Sequence, residues 1–235
     1  MKILILNGNP KLNNSTATWF YTPFLDSLAE QGNQIKTIYL LRKKISPCKG
    51  CLHCWFIDQG KCVINDDFDF IIKWLNWADQ FIFIFPIYVG NAPSSIYHFI
   101  QRCVSIVKPT YEIYNGHYGH IQNTGVSLPS FGVISWCGFY EKDNFECVNA
   151  QMTQFAYQIS QKYNFSIFRT HINSFEFFPE KKQTYIELLK TAGKQFALNK
   201  KIESSTLNEI EKDLISSEAY FSLMNNLLKT KKDDI

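Results

Sequence analysis

Short strand-like runs alternate along the chain with longer segments that carry apolar residues at helical spacing. The strand-like runs cover residues 3–6, 34–40, 81–85, 131–136 and 165–169, and the helical segments cover residues 15–31, 68–75, 100–107, 145–163 and 180–198. Residues 3–6 and 81–85 are unbroken apolar runs, which are typical of strands buried on both faces of a parallel sheet. The alternation predicts an α/β fold, a doubly wound five-stranded parallel sheet with helices on both faces. Ligands of such sheets bind beyond the carboxyl ends of the strands, so the loops after the first, third and fourth strands are predicted to form the site.

An insertion at residues 108–129, rich in Tyr, His, Gly and Asn, interrupts this alternation. Loops of this length inside a domain are usually functional or disordered, and the aromatic content argues against disorder. We expect the insertion to fold over the ligand site and to offer stacking surface to a flat substrate; a surface loop or a brace between subunits is the alternative. The residues concerned are Tyr111, Tyr114, His117, Tyr118 and His120.

The chain is predicted to consist of one domain, residues 1–198, and a C-terminal helical tail, residues 199–235. A helix is expected over residues 207–228, followed by a charged end. The apolar residues of the tail need a surface to cover, either this chain's own sheet or a second chain. They are Leu207, Ile210, Leu214, Ile215, Phe221, Leu223 and Leu227.

Composition narrows the classes of protein that fit this pattern. The 24 basic and 21 acidic residues are interspersed, which does not indicate a nucleic-acid-binding surface. The most apolar segment, residues 81–85, is far shorter than the ~20 residues that cross a bilayer, and Met1 leads directly into a strand. We therefore expect a soluble cytoplasmic protein without a membrane partner. Four of its seven cysteines lie between Cys48 and Cys62, which in a reducing compartment favours metal or redox chemistry over disulfides.

The polar turn after the first strand is predicted to bind an anion. Its backbone N–H groups, amides, hydroxyls and one cation lie where a helix would begin, an arrangement that favours a phosphate. The turn is neither a Walker loop nor a G-x-G-x-x-G turn, and an ordinary helix cap is the alternative. The residues of interest are Asn9, Lys11, Asn13, Ser15 and Thr16.

Three separated stretches together resemble the flavodoxin-like FMN-dependent NAD(P)H oxidoreductases, a family that includes NADPH-dependent FMN reductases, quinone reductases and iron–sulfur flavoproteins. Residues 8–11, Gly-Asn-Pro-Lys, are similar to the family's phosphate loop, with Asn9 and Lys11 in place of Ser and Arg. Residues 86–90, Pro-Ile-Tyr-Val-Gly, resemble the loop that borders the flavin ring. Residues 135–140, Ser-Trp-Cys-Gly-Phe-Tyr, resemble the loop after the fourth strand.

The resemblance implies a flavodoxin-like fold over residues 1–198, a bound FMN, and NAD(P)H as co-substrate. Because the flavin itself carries out the transfer, no catalytic side chain is assigned. The alternative role for Cys137 is packing in the core. The alternative for Tyr88 is a position at the rim of the site without contact to the flavin. The implied cofactor-binding residues are Asn9, Lys11, Asn13, Ser15, Thr16, Pro86, Ile87, Tyr88, Val89, Gly90, Cys137 and Gly138.

The cysteine loop resembles the compact motif by which iron–sulfur flavoproteins hold a [4Fe–4S] cluster. Cys48, Cys51, Cys54 and Cys62 supply the four thiolates that such a cluster requires. A zinc site is one alternative, and structural or redox-active thiols are another, since Cys54 precedes Trp55 and could pack as a small apolar residue.

Together these features predict an FMN-dependent oxidoreductase that passes electrons from NAD(P)H through FMN to a small acceptor such as a quinone, a nitroaromatic or free flavin. One alternative is an electron-transfer protein of the iron–sulfur flavoprotein type, and another is a cysteine-based redox or metal sensor. Resemblance to dimeric relatives also implies a homodimer, with the tail at the subunit contact.

Overall fold

A computed structural model describes residues 1–11 and 17–233, and five parallel strands form its central sheet. In spatial order the strands are Gln34–Tyr39, Lys2–Asn7, Gln80–Pro86, Ser130–Trp136 and Tyr163–Arg169, as expected for a doubly wound sheet. The predicted fold class is therefore confirmed. Numbered along the chain, the strands are β1 (Lys2–Asn7), β2 (Gln34–Tyr39), β3 (Gln80–Pro86), β4 (Val107–Tyr114), β5 (His117–Gln122), β6 (Ser130–Trp136) and β7 (Tyr163–Arg169).

Helices cover both faces of this sheet. The helices are α1 (Thr18–Glu30), α2 (His53–Phe56), α3 (Phe68–Trp77), α4 (Ser94–Arg102), α5 (Glu146–Gln158), α6 (Pro179–Asn199), α7 (Ser204–Ile210) and α8 (Ser217–Asp233). Short 3₁₀ turns occupy Leu40–Arg42, Cys103–Ile106, Lys142–Phe145 and Ile172–Phe177. None of the helices within the described residues combines the length and the apolar character needed to cross a bilayer.

Two separate apolar cores lie on the two faces of the sheet. Helices α3, α4 and α5 bury their apolar sides against one face, and α1, α6 and α7 bury theirs against the other. All seven residues of β3 are buried, as an apolar strand in the middle of a two-sided sheet requires. On the second face Gly193 allows α6 to approach α1 closely, because a Cβ at this position would lie 2.5 Å from the Phe24 carbonyl oxygen.

The insertion folds into an antiparallel hairpin, β4–β5, instead of a long irregular loop. Its two-residue turn, Asn115-Gly116, has positive φ at both positions (49° and 80°), which is the conformation of a type I′ hairpin turn. An Asn-Gly pair between residues of high strand propensity is a hairpin signal, so this turn could have been predicted from the sequence.

The tail is also organised differently from the single predicted helix. It forms α7 and α8, separated by residues 211–216. Ile202 and Ile210 are buried in the second core, with Leu207 and Leu214 packed against them. These residues therefore cover this chain's own sheet, while Phe221 is 71% exposed. The homodimer remains a prediction.

Candidate functional site

The three loops of interest meet at the carboxyl edge of the sheet, although they are far apart in sequence. The Gly8 N–H donates to the Ile84 carbonyl oxygen (2.8 Å), which joins the loop after β1 to β3. The Ile87 N–H donates to the Trp136 carbonyl oxygen (2.9 Å), which joins the loop after β3 to β6. The chain reverses its winding direction between β1 and β3, and ligands of such sheets bind at this point.

The loop after β1 is held by its own side chains. Asn7 Oδ1 accepts a hydrogen bond from the Asn9 N–H (2.8 Å), and Asn9 Oδ1 accepts one from the Lys11 N–H (3.1 Å). Asn9 is buried, and its Nδ2 group has no hydrogen-bond partner among the described residues. A buried amide donor without a partner is costly unless a ligand accepts from it. Lys11 is exposed beside this donor.

Three of the predicted phosphate ligands, Asn13, Ser15 and Thr16, lie outside the described residues. The sequence analysis missed another polar group near this loop. Gly8 packs against Ile96 at the start of α4, where a Cβ on the glycine would lie 3.0 Å from Ile96 Cγ1. In the same helical turn, Ser95 is buried and its Oγ has no partner among the described residues. A polar residue in the first turn of a helix that follows a central strand is the signal that could have found it.

The loop after β3 forms a tight exposed turn at the same edge. Tyr88 and Asn91 exchange backbone hydrogen bonds of 2.8 and 3.0 Å, and the two residues between them have positive φ, 50° for Val89 and 71° for Gly90. Left-handed backbone is unfavourable for a β-branched residue, and such strain is characteristic of functional turns. Val89 is 94% exposed and Tyr88 is half-exposed, so the turn offers its backbone and one ring to a ligand.

The loop after β6 turns its thiol inward. Cys137 is buried, with Sγ 3.6 Å from the Phe139 carbonyl oxygen, and burial raises the pKa of Cys137 to about 11. The thiol is therefore protonated at neutral pH. At Gly138 an added Cβ would lie 3.1 Å from Asn173 Nδ2, and Phe139 is 64% exposed. This loop accordingly presents Gly138 and Phe139, and not the cysteine side chain, to the solvent.

The C-terminal segment is tied to this edge by hydrogen bonds that could not be found from sequence patterns. Buried Arg169, at the end of β7, donates from Nη1 to the carbonyl oxygens of Ile210 (3.0 Å) and Lys212 (2.8 Å). The Tyr220 hydroxyl donates to the Gly138 carbonyl oxygen. Residues outside the predicted domain thus fix the loop after β6.

His171, in its neutral form, also connects the end of β7 to the C-terminal segment. Its Nε2 accepts from Arg169 Nη2 (2.8 Å) and from the Leu214 N–H (3.2 Å), which places the ring proton on Nδ1. Burial lowers the pKa of His171 to about 4, and the charge of Arg169 adds to this effect. Lys142 acts in the same direction, and Asp213 acts against it.

The four cysteines of the second predicted site line one narrow cavity of about 10 Å³. Burial raises the pKa of the Cys54 thiol, and the neighbouring Cys62, Cys48 and Cys51 raise it further. No group of three or more Cys, His, Asp or Glu side chains within residues 1–11 and 17–233 is arranged to hold a single metal ion. Neither a zinc site nor the predicted [4Fe–4S] site is preformed in the described part of the chain.

A buried ion pair fixes the cysteine loop against α4. Arg102 Nη1 lies 2.7 Å from Asp66 Oδ2, and the guanidinium also donates to the carbonyl oxygens of Ser46 (3.2 Å) and Ile64 (3.3 Å). Burial acts to raise the pKa of Asp66, but the hydrogen bonds from Arg102 and from the Ser46 and Phe68 N–H groups lower it overall. Burying such a pair costs less when its other groups are hydrogen-bonded. Nη1 and Nη2 of Arg102 meet this condition, whereas its Nε has no partner among the described residues.

The cysteine cavity and the three loops lie near opposite ends of α4. The loops adjoin its first residue, whereas Arg102, its last, lines the cysteine cavity. Nine helical residues span about 13 Å.

The hairpin lies at the amino edge, beyond the cysteine cavity. A Cβ on Gly119 would lie 2.4 Å from the Tyr157 carbonyl oxygen, at the end of α5 that leads into β7. The Asn76 side chain, at the corresponding end of α3, donates to the Gly125 carbonyl oxygen (3.1 Å). The expectation that the insertion folds over the ligand site is therefore wrong within one chain, because the insertion joins the C-terminal end of α4 to the first residue of β6.

Comparison with known proteins assigns the chain to a family. A model of the family described as "Flavodoxin-like fold" matches residues 1–142. The chain belongs to this family.

Among characterised relatives, the chain is 30% identical over 115 residues to an iron–sulfur flavoprotein of Methanosarcina thermophila, covering 49% of this chain and 59% of that protein. It is 33% identical over 102 residues to an iron–sulfur flavoprotein of Methanocaldococcus jannaschii, covering 43% and 51%. The chain thus spans little more than half the length of these flavodoxin-like relatives.

Solved structures share the fold at lower identity. An FMN-dependent NADH-azoreductase from Bacillus anthracis, in complex with FMN, superposes with a TM-score of 0.61 at 16% identity over 83% of this chain and 99% of that one. An NAD(P)H:quinone oxidoreductase from Methanothermobacter marburgensis gives a TM-score of 0.58 at 14% identity over 83% and 96%. These similarities confirm the flavodoxin-like architecture.

The buried neutral histidine predicts acid sensitivity. Because the pKa of His171 is about 4 in the folded chain against 6.5 ordinarily, the unfolded chain binds more protons between these pH values. The free energy of unfolding should fall by about 3 kcal/mol through this group as the pH falls from 6.5 to 4. Denaturant titrations over this range should show a shallower decline for His171→Gln and the full decline for the control His53→Gln. Equal slopes for wild type and His171→Gln would contradict the assignment.

Proposed function

We propose that this flavodoxin-like protein is an FMN-dependent oxidoreductase that passes electrons from NAD(P)H to a small acceptor. The observation that carries this proposal is the meeting of three loops at the switch point of the sheet, with an unpartnered buried donor at one end and an open strained turn at the other. The loops were singled out from the sequence because they resemble the flavin-binding loops of this family. The FMN-dependent NADH-azoreductase and the NAD(P)H:quinone oxidoreductase that share the fold add support.

The residues present fit a cofactor with a terminal phosphate and a flat ring. Asn9 and Lys11 would hold the phosphate, since a buried amide donor and an exposed cation both favour an anion. The open turn at residues 88–90 would border the ring with backbone, as would Gly138. Bound FMN supplies the capacity to accept a hydride and to release electrons, and the chain supplies binding, orientation and access.

For the electron acceptor, the proposal specifies a chemical class and not a single compound. The Tyr88 ring is half-exposed and Phe139 is 64% exposed, so this edge offers aromatic surface to a flat molecule. A quinone, a nitroaromatic compound or free flavin has this shape.

The direct test is to identify the cofactor and its reduction. Heat-released cofactor should chromatograph as FMN, because the proposed site provides for a terminal monophosphate. Under anaerobic conditions NADH or NADPH should bleach the flavin absorbance, and a quinone should restore it. Recovery of FAD, or an apoprotein that takes up no FMN, would overturn the proposal.

A lysine substitution tests the phosphate end of the site. Lys11→Ala should weaken FMN binding by about 1–3 kcal/mol, because it removes a charge-assisted contact to the phosphate. The matched control is Lys194→Ala, an exposed lysine on α6. Fluorescence titration with FMN measures both dissociation constants, and thermal unfolding checks the fold. Equal affinities would show that Lys11 is a solvated surface charge.

A second candidate function is electron transfer through a [4Fe–4S] cluster in addition to the flavin. The observation that favours it is the single cavity lined by Cys48, Cys51, Cys54 and Cys62. Four thiols set around one cavity are the donor set of such a cluster, and their repulsion as thiolates would be relieved by bound iron. Relatives named iron–sulfur flavoproteins add support.

The cluster proposal predicts a metal content. Protein purified without oxygen should contain about four irons and four acid-labile sulfides per chain. Cys51→Ser should lower both and bleach the visible absorption of the cluster, whereas Cys147→Ser, an exposed cysteine outside the cavity, should not. Flavin bands without labile sulfide in the wild-type protein would remove this function.

A further inference from the structure

A large cleft that the proposed function does not use lies between the β4–β5 hairpin and the C-terminal ends of α4 and α5. Its volume is about 530 Å³, which is within the range of small-molecule sites. The lining residues include Trp55, Gln101, Val104, Tyr111, Tyr118 and His120.

Aromatic rings form one connected wall of this cleft. The His120 ring lies 5.1 Å from the Trp55 ring and 4.8 Å from the Tyr111 ring, measured between centroids. The Tyr118 ring follows at 6.2 Å from Tyr111. Tyr111 and Tyr118 are 68% and 76% exposed, so much of their surface is free to contact a ligand. Such a wall favours a flat aromatic partner.

The charge of the lining indicates an uncharged ligand. No Lys, Arg, Asp or Glu is among the described residues that line this cleft. A smaller cleft of about 250 Å³ on the other face, by contrast, is lined by Lys181, Lys212 and Asp213 among others. A charged ligand would lose hydration without gaining a partner in the uncharged cleft.

Polar groups are nevertheless available to orient a neutral molecule. His120 Nδ1 is shielded from solvent and has no hydrogen-bond partner among the described residues. Gln101 and Gln158 also line the cleft. A few polar groups on an otherwise apolar lining are characteristic of small-molecule sites.

The hairpin that forms this wall is held in place from several sides. The His117 ring stacks on the Tyr157 ring at 3.7 Å, and Gly119 lies against the end of α5. At the base of the hairpin, buried Asn123 donates from Nδ2 to the carbonyl oxygens of Ser105 (3.0 Å) and Val107 (3.2 Å). The cleft is therefore formed before any ligand arrives.

We propose that this cleft is a binding site for a flat, uncharged aromatic molecule, separate from the flavin loops at the opposite edge of the sheet. The site adjoins the cysteine cavity, because Val104 lines both and accepts a hydrogen bond from Trp55 Nε1 (2.8 Å) at its carbonyl oxygen. A bound molecule would contact Trp55, the residue that follows Cys54. The proposal does not depend on the proposed function.

The experiment compares three probes of the same size on the full-length protein, as purified and again after saturation with FMN. The probes are 2-naphthamide, which is flat and neutral, its charged counterpart 2-naphthoate, and the saturated decahydro-2-naphthamide. Isothermal titration calorimetry should give the tightest binding for 2-naphthamide, with the other two weaker by about tenfold. Added FMN should leave the affinity for 2-naphthamide unchanged.

Variants locate the bound probe. Tyr118→Ala should weaken 2-naphthamide binding by about two- to tenfold through loss of a ring contact. His120→Phe keeps a ring but removes the nitrogen, and should weaken it by about fivefold. Tyr114→Ala, at the tip of the same hairpin, is the matched control and should bind as the wild type does. Circular dichroism verifies that each variant is folded.

Several results would overturn the proposal that this cleft is a binding site. Equal affinity for the amide and the carboxylate would contradict an uncharged lining, and unchanged affinity in folded Tyr118→Ala and His120→Phe proteins would place the probe elsewhere. Loss of binding on addition of FMN would place it in the flavin loops. A change in sedimentation coefficient on binding would identify the cleft as a contact between copies of this chain.

Discussion

The burial of β1 and β3 on both faces is the constraint on which the rest of the structure depends. Strands that are apolar on each side need helices on each side, and parallel strands need crossovers that return every chain segment to the amino edge. The loops that follow the five parallel strands therefore collect at the carboxyl edge. The backbone hydrogen bonds from Gly8 to β3 and from Ile87 to β6 then bring the loops after β1, β3 and β6 together. The site is a consequence of how the core is covered.

The same crossover geometry places the candidate functional residues in two regions, the loops at the carboxyl edge and the cysteine loop, which α4 joins. Its first turn packs against the loop after β1, and its last residue, Arg102, holds the cysteine loop through Asp66. Because this ion pair is buried and hydrogen-bonded to the surrounding backbone, removing either partner would leave an uncompensated charge and release the loop. The aromatic cleft lies beyond the cysteines at the amino edge, so the loops at the carboxyl edge, the cysteine cavity and the cleft follow one another along one side of the molecule.

The C-terminal segment also helps to fix the loops at the carboxyl edge through hydrogen bonds. Arg169 and His171 hold residues 210–214, and Tyr220 holds Gly138. These contacts join a loop inside the matched family region, residues 1–142, to residues well beyond it. The position of a loop that would border the flavin is thus set in part by a segment that the family model does not include.

The fold class, the bounds of the five parallel strands to within two residues, and the three loops that meet at the carboxyl edge could all be predicted from the sequence. These features depend on hydrophobic periodicity and on strand direction, which are local properties. The hairpin could also have been predicted, since Asn115-Gly116 specifies its turn. The edge of the sheet on which the hairpin lies could not be predicted. That position follows from the close approach of Gly119 to the end of α5, a contact between residues 38 or more apart in sequence.

Tertiary structure alone decided which polar groups are left without partners and which thiols are turned inward. Asn9 is distinguished from buried Asn123 by an amide donor without a partner among the described residues, and Cys137 is distinguished from Cys51 and Cys147 by its burial. The tail likewise carried enough apolar residues to cover either its own sheet or another chain, and the hydrogen bonds of Arg169 and His171 fix it to its own sheet. Such contacts depend on which distant segments the folded core brings within a few ångströms of each other. Local patterns in the sequence do not specify that distance.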